Sequence, residues 1–213
     1  MNTDVIRFII SVAAGYLLGS IPSAVWAGKI FHGIDIREHG SGNAGATNVI
    51  RVLGWKTGIP VMLADIAKGW LAALLPHILN AAGKGSSMEI NMMIVAGLAA
   101  IAGHVYPVFA GFRGGKGVGT TVGVLIALNP LLTLSCIGVF LAVLLITGYV
   151  SLSSMSFGVS FPLLLFTLFD TPSVIFRVFS VFIAVALIYT HRSNIKRLIR
   201  GEEPKFIKRK KKQ

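Results

Sequence analysis

Two glycine-rich segments carry the side chains of this chain best suited to chemistry. The first, GSGNAGATNVIR at Gly40–Arg51, sets Ser41, Asn43, Thr47 and Asn48 among glycines at 40, 42 and 45 and closes on Arg51. The second, GFRGGKGVGTT at Gly111–Thr121, surrounds Lys116 with glycines and runs into an apolar stretch. Glycine admits positive φ and close approach of backbone to a ligand. Backbone N–H groups at a helix N-terminus attract anions, and an arginine fork can grip a phosphate with two bonds. The two segments therefore predict phosphate cradles. Ser41, Gly42, Asn43, Thr47, Asn48 and Arg51 form one, and Gly114, Gly115, Lys116 and Gly117 the other. The competing reading of the first is a tight turn with an asparagine helix cap. The second is not a nucleotide-hydrolysing loop: Gly117 follows Lys116 where a Ser or Thr would hold magnesium, and Gly111 stands one residue too close.

Other polar residues stand at helical spacing. His191 and Asn194 are three apart where the last apolar stretch ends, and so are Ser151 and Ser154 in YVSLSS. Each pair shares a face if the chain is helical there, which suits either a site or an interface anchor. Asp65 and Lys68 have the same spacing inside an apolar stretch, where opposite charges favour a neutral pair. His104, in GHVYP, reads as a structural hydrogen-bonding residue. None of the five histidines has an aspartate five positions later, which removes one large acyltransferase signature. No HExxH, paired cysteine or acidic cluster offers a divalent metal a home.

These residues must be positioned by membrane helices. The chain of 213 residues is 54% hydrophobic and 13% charged, with mean hydropathy +0.76. That composition predicts an all-α, polytopic integral membrane bundle forming one domain over 1–213. The formal charge of +12 does not point to nucleic acid. Half of the 20 Lys and Arg residues lie from Arg192 onward, in a tail over 192–213 ending KRKKK at Lys208–Lys212. Such a run marks the cytoplasmic side and meets anionic lipid. The lone Cys136 permits no internal disulfide. Hydropathy predicts spans at Phe8–Ala27, kept as an uncleaved helix, and at Ile59–Leu79, Ile90–Phe109 and Val174–Tyr189. Met155–Phe169 is a shorter one, closed by Asp170-Thr171-Pro172. Val118–Thr147 is too long for one straight span and short for two, and Asn129-Pro130 predicts a break within it. With that break, positive-inside bias puts Gly28–Gly58, Phe112–Lys116, YVSLSS and the tail on the cytoplasmic face, for about seven helices.

Taken together, GSIPSAVW at Gly19–Trp26, GSGNAGATNVIR, GHVYPVFAGFRGGKGVGT at Gly103–Thr120, YVSLSS at Tyr149–Ser154 and HRSNIKRL at His191–Leu198 resemble the PlsY family, the bacterial acyl-phosphate:glycerol-3-phosphate acyltransferases. The resemblance implies transfer of a fatty acyl group from acyl phosphate to the 1-hydroxyl of glycerol 3-phosphate, the first acylation of phospholipid synthesis. It implies no coenzyme A, acyl carrier protein or metal, and a seven-helix inner-membrane protein with its active site at the cytoplasmic surface. A monomer is expected. Ser41, Arg51, Lys116, Ser154, His191 and Asn194 match the family's polar site residues, with Ser154, His191 and Asn194 expected at the reacting groups. The proton of the attacking hydroxyl goes either to His191 or to a substrate phosphate, and the resemblance leans to the phosphate. Two positions depart from the family: Gly148, where a basic residue is common, and Ser193, where an acidic one is. The rival reading is a small transporter of an anionic phosphorylated metabolite, which predicts internal repeats and mid-membrane polar groups. No repeat is visible, and the motifs cluster at one face.

Overall fold

The computed structural model describes residues 3–169 and 173–207. The expected Asp170-Thr171-Pro172 turn and the KRKKK run lie outside the described residues. Ten α-helices follow one another among the described residues: α1 Thr3–Gly19, α2 Ser23–His32, α3 Ala46–Leu53, α4 Trp55–Ile78, α5 Ser87–Val105, α6 Val118–Leu128, α7 Pro130–Thr147, α8 Val150–Thr167, α9 Val174–Thr190 and α10 Arg192–Ile199. No strand occurs among the described residues. Five stretches are long and apolar enough to cross a bilayer: Thr3–His32, Trp55–Ile78, Ser87–Ala110, Pro130–Thr147 and Val150–Thr167. A sixth arises if α9 and α10, bent by 58° at their junction, count as one. The remaining apolar helix, α6, has 11 residues, about 16 Å at 1.5 Å per residue. It is short for a crossing. The protein is thus an all-helical, multi-pass membrane protein, and the expected seven spans correspond to these six plus the short α6.

Differences from the predicted spans have local causes. The first span breaks after Gly19, because Pro22 has no N–H to donate and its ring restricts the residue before it. The chain then resumes as α2 and runs to His32. There Gly33 adopts a left-handed cap whose N–H returns to the carbonyls of Gly28 and Lys29. The same proline effect makes the expected break at Asn129-Pro130: Asn129 is extended, with φ −155° and ψ 92°. YVSLSS, expected ahead of the Met155–Phe169 span, is helical from Val150 and supplies the first turns of α8, so that Ser151 and Ser154 share a face as their spacing allowed. Its serines donate back to carbonyls four residues earlier, Ser153 to Tyr149 and Ser154 to Val150, both at 2.8 Å. These bonds satisfy the hydroxyls without leaving the helix.

The chain's contacts gather it into two compact units, Met1–Pro130 and Leu131–Gln213. In the first, α1 packs on α4 and α5, and α4 packs on α3, α5 and α6. Lipid gives helices little hydrophobic reason to associate, so close contact through small residues must hold them. Gly15 and Gly19 of α1 lie against the Ala96 and Ala100 carbonyls of α5. Gly69 of α4 and Gly123 of α6 likewise face Thr120 and Ile66. In the second unit α8 packs on α9, and an aromatic cluster of Phe161, Phe176 and Phe179 lies between them, with centroids 5.7–6.3 Å apart.

A Cβ at Gly19 would collide with the Ala100 backbone, whereas one at Gly138 of α7 meets nothing within 4 Å. Gly19→Val should therefore destabilise the protein by about 1–3 kcal/mol, as overpacking does. Gly138→Ala should be neutral or stabilising, since alanine is the better helix former by about 1 kcal/mol. Thermal melts of the two variants in detergent check this contrast.

Candidate functional site

The first glycine-rich loop is shaped from within by one asparagine. Asn48, in the first turn of α3, is buried. Its Oδ1 accepts from the Ser41 amide at 2.8 Å, while Nδ2 donates to the Ile36 and His39 carbonyls at 3.1 and 2.9 Å. Asn48 was expected to touch a ligand; its side chain instead staples the loop and is spent on doing so. The loop it holds turns through Gly40 and Gly42, with φ of 62° and 71°. Gly45, expected to share that conformation, is extended at φ −137° and precedes α3 as its N-cap. Ser41 and Gly42 are exposed, Asn43 and Thr47 half-buried, and Arg51 exposed in the last turn of α3.

The second loop is seated on the end of α5. The Gly115 amide donates to the His104 carbonyl at 3.1 Å and the Gly114 amide to the Val105 carbonyl at 3.2 Å. These two N–H groups, expected to face a phosphate, are thereby committed to the fold. A Cβ at Gly114 would strike the His104 carbonyl, and one at Gly115 would strike His104 Nε2 and come within 3.0 Å of the Ala44 carbonyl. Glycine here answers to packing, and the contact with Ala44 brings the two loops together. Gly117, left-handed at φ 82°, caps α6 immediately after Lys116, which is half-buried.

A second bond joins the loops. Arg37 clasps Asp35 with two forked bonds, Nε to Oδ1 at 2.9 Å and Nη2 to Oδ2 at 2.6 Å. Its remaining Nη1 donates to the Ala110 carbonyl at 2.8 Å, at the entrance of the second loop. The Arg37 guanidinium holds the Asp35 carboxyl well below the usual carboxylate range, against the opposing effect of burial. Sequence reading passed over this pair; an Asp and an Arg two residues apart in GIDIREHG was the available signal.

The second unit holds the remaining expected residues. His191 is the hinge between α9 and α10 and the N-cap of α10. Its Nδ1 lies 2.7 Å from the Leu187 carbonyl. A carbonyl only accepts, so Nδ1 carries a proton; a ring that is neutral then has its lone pair on Nε2, the form a general base needs. Asn194 follows one turn later, its amide bonded to the His191 carbonyl at 2.8 Å, and both side chains are buried. Ser154, also buried, lies in the second turn of α8.

Glu203 is the residue that sequence reading missed here. The chain turns at Gly201 beyond α10 and brings this carboxylate back, 8% exposed, so that Oε1 accepts from Asn194 Nδ2 and Oε2 from Arg197 Nε, both at 2.7 Å. Burial pushes the Glu203 carboxyl up, but the Asn194 and Arg197 bonds, with Ser151 beside them, outweigh it and hold the group below its ordinary value. An acid inside a basic tail was the signal available. At the departure Ser193 is exposed, and Asn194 beside it is held by Glu203 from nine residues downstream. The departure at Gly148 has a steric reason. Gly148 sits at φ 77° and its carbonyl accepts from the Phe206 amide at 2.8 Å, while a Cβ would meet the Ile207 carbonyl at 2.7 Å. The docked tail places Lys205 Nζ 5.3 Å from the centre of the Tyr149 ring.

Helices of this length and apolarity, with buried ionisable groups and two glycine-rich loops in contact through Gly115 and Ala44, define an integral membrane protein with a built polar site. Residues 9–201 match the family described as glycerol-3-phosphate acyltransferase. The chain belongs to that family. The glycerol-3-phosphate acyltransferase of Chlorobaculum tepidum is 44% identical, over 93% of this chain and 96% of its own. That of Chlorobaculum parvum is 42% identical over the same shares. Among solved structures, that of PlsY (YgiH), an integral membrane glycerol 3-phosphate acyltransferase, is similar in its glycerol 3-phosphate form, with TM-score 0.81 and 38% identity over 97% of this chain and 96% of that one. Its lysophosphatidic acid form matches with TM-score 0.78 and 37% identity over 96% and 95%. The protein is an acyltransferase, as the motifs implied.

The Glu203 clamp has a defined pH dependence. Its carboxyl is lowered in the folded state, so its contribution to stability is complete above the ordinary glutamate pKa of about 4.3 and is lost as pH falls through the lowered native value. Glu203→Gln should cost about 1.5–3 kcal/mol at pH 7, the range for a hydrogen bond to a charged group. Melting temperatures of the wild type and this variant should converge as pH is lowered below about 4; a gap constant with pH would overturn the assignment.

Proposed function

We propose that this enzyme transfers a fatty acyl group from acyl phosphate to the 1-hydroxyl of glycerol 3-phosphate, giving 1-acyl-glycerol 3-phosphate and inorganic phosphate. The observation that carries the reading is the likeness, along almost the whole chain, to a membrane acyltransferase solved in glycerol 3-phosphate and lysophosphatidic acid forms. In the reaction the hydroxyl oxygen bonds to the acyl carbon and the bond from that carbon to the phosphate oxygen breaks. Phosphate leaves with the electron pair. The anhydride is already activated, so catalysis can rest on positioning and charge stabilisation.

Arg51 and Lys116 supply the positive charge for the substrate phosphates, with Ser41, Asn43 and Thr47 as short hydrogen-bonding partners and the Gly42 and Gly117 backbone turning the loops. Asn48, Gly114 and Gly115 contribute shape, because their polar groups are already bonded. In the second unit His191, Asn194 and Ser154 are assigned to the reacting groups. The proton passes to His191 Nε2 or to a phosphate oxygen of the substrate. All of this forms one functional domain in the bacterial inner membrane, with the active site and the C-terminus at the cytoplasmic face. The basic tail sits against anionic lipid, and the protein acts as a monomer.

Two measurements check this reading. Purified protein should convert palmitoyl phosphate and radiolabelled glycerol 3-phosphate to the lyso product; turnover with acyl coenzyme A but not with acyl phosphate would refute the donor. Orientation is tested by single cysteines in a Cys136→Ala background. Replacements of Lys56 and Lys196, both exposed, should label from the cytoplasmic side, and one of Lys84 from the opposite side. Label reaching Lys196 and Lys84 from the same side would invert part of the topology.

A further inference from the structure

Four ionisable side chains are buried among the described residues of the first unit: Glu89, paired with His77 and the Gly85 amide in the first turn of α5, and a group of three apart from the residues assigned to substrate. Asp65, Lys68 and His104 are 4%, 5% and 7% exposed. Burying charge is costly even when it is paired, and in membrane helices such groups usually serve function. Lys68 Nζ stands 2.8 Å from Asp65 Oδ1 and donates at 2.9 Å to the Ile21 carbonyl, beside the break that Pro22 makes between α1 and α2. Asp65 Oδ1 also faces His104 Nδ1, a buried atom with no hydrogen-bond partner among the described residues, at 3.6 Å. That is just beyond hydrogen-bond distance, so the contact is set by packing and the aspartate's charge. An ion pair that only neutralised itself inside α4 would need no histidine.

The loop that carries Lys116 rests on this group at both ends. Before the lysine, Gly114 and Gly115 lie on His104, so closely that a Cβ at Gly115 would collide with the imidazole Nε2. After it, Gly119 in the first turn of α6 packs against Asp65, where an added Cβ would stand 3.2 Å from the aspartate Cβ. A small cavity lined by Ser23, Asp65, Lys68, His104, Gly114 and Gly115 lies between them.

We propose that Asp65, Lys68 and His104 form a positioning network that sets where Lys116 stands. Asp65 orients the imidazole, His104 is the surface on which the loop is laid, and Lys68 ties both to the break after α1. The proposal rests on the reading that Lys116 grips a substrate phosphate, because only then does misplacing the loop cost turnover. Displacing a catalytic group by about 1 Å can cost about 100-fold.

The test separates loop order from chemistry. In full-length protein in detergent, hydrogen–deuterium exchange over residues 113–118 should speed up about 10-fold or more in Asp65→Asn and in His104→Gln, with α8 and α9 unchanged as an internal control; unaltered protection in both variants overturns the proposal. Kinetics then measure the consequence. Each variant should lose about 10- to 100-fold in kcat/KM, and Lys68→Arg, which keeps the charge, should retain most of the wild-type rate. Combined with Lys116→Met, neither Asp65→Asn nor His104→Gln should cause a further loss, because the network acts through that lysine. Losses that multiply independently would refute the coupling. Wild-type kinetics in Lys116→Met alone, with the exchange result intact, would refute the phosphate role of Lys116 instead.

Discussion

The bonds from the Gly114 and Gly115 amides to the end of α5 are the constraint from which the rest of the first unit follows. Gly114 and Gly115 are half-buried against the protein, so their backbone N–H groups need partners there. The loop finds them by lying directly on a helix terminus whose last carbonyls need donors. That approach requires glycine, since any Cβ would occupy the space of His104. The same two bonds therefore cap α5, direct the chain into α6, and leave Lys116 on the short stretch between a seated loop and a helix start.

The first loop is organised on the same logic with a different agent. Asn48 supplies from one buried side chain the acceptor and both donors that three backbone groups need. Arg37 then closes the distance to the second loop, its charge balanced by Asp35 and its spare donor on Ala110. In the second unit Glu203 plays the corresponding part for Asn194. In each case a side chain engaged with the fold fixes a motif in place: Asn48 from within the predicted ligand set, Arg37 and Glu203 from outside it. A motif residue holds a productive geometry only when its own rotamer is held by neighbours.

Glycine has two separate uses in this chain. Along α1, α4 and α6 it lets helix backbones approach, replacing the hydrophobic drive that lipid removes. In the loops it lets backbone turn or lie against backbone. The glycine-rich motifs read as ligand cradles because both uses leave the same letters in the sequence. Gly114 and Gly115 belong to packing; Gly40, Gly42 and Gly117 belong to turning.

What the sequence determined alone was the class of the protein and its break points. Apolar run lengths specify membrane helices, because the bilayer thickness is a property of the solvent and not of the fold. Pro22 and Pro130 interrupt helices through a missing N–H and a steric clash that need no tertiary partner. The motifs sufficed for the family, since each is contiguous and the departures at Gly148 and Ser193 left the polar site residues in place. Only the tertiary structure decided which motif atoms are already in use. Asn48, Gly114 and Gly115 look like ligand groups until their partners, lying as far apart in the chain as Ile36 and Val105, are in place. Glu203 and the grouping of Asp65 with His104 were likewise hidden, because hydrogen bonds reach about 3 Å in space and take no account of distance along the chain.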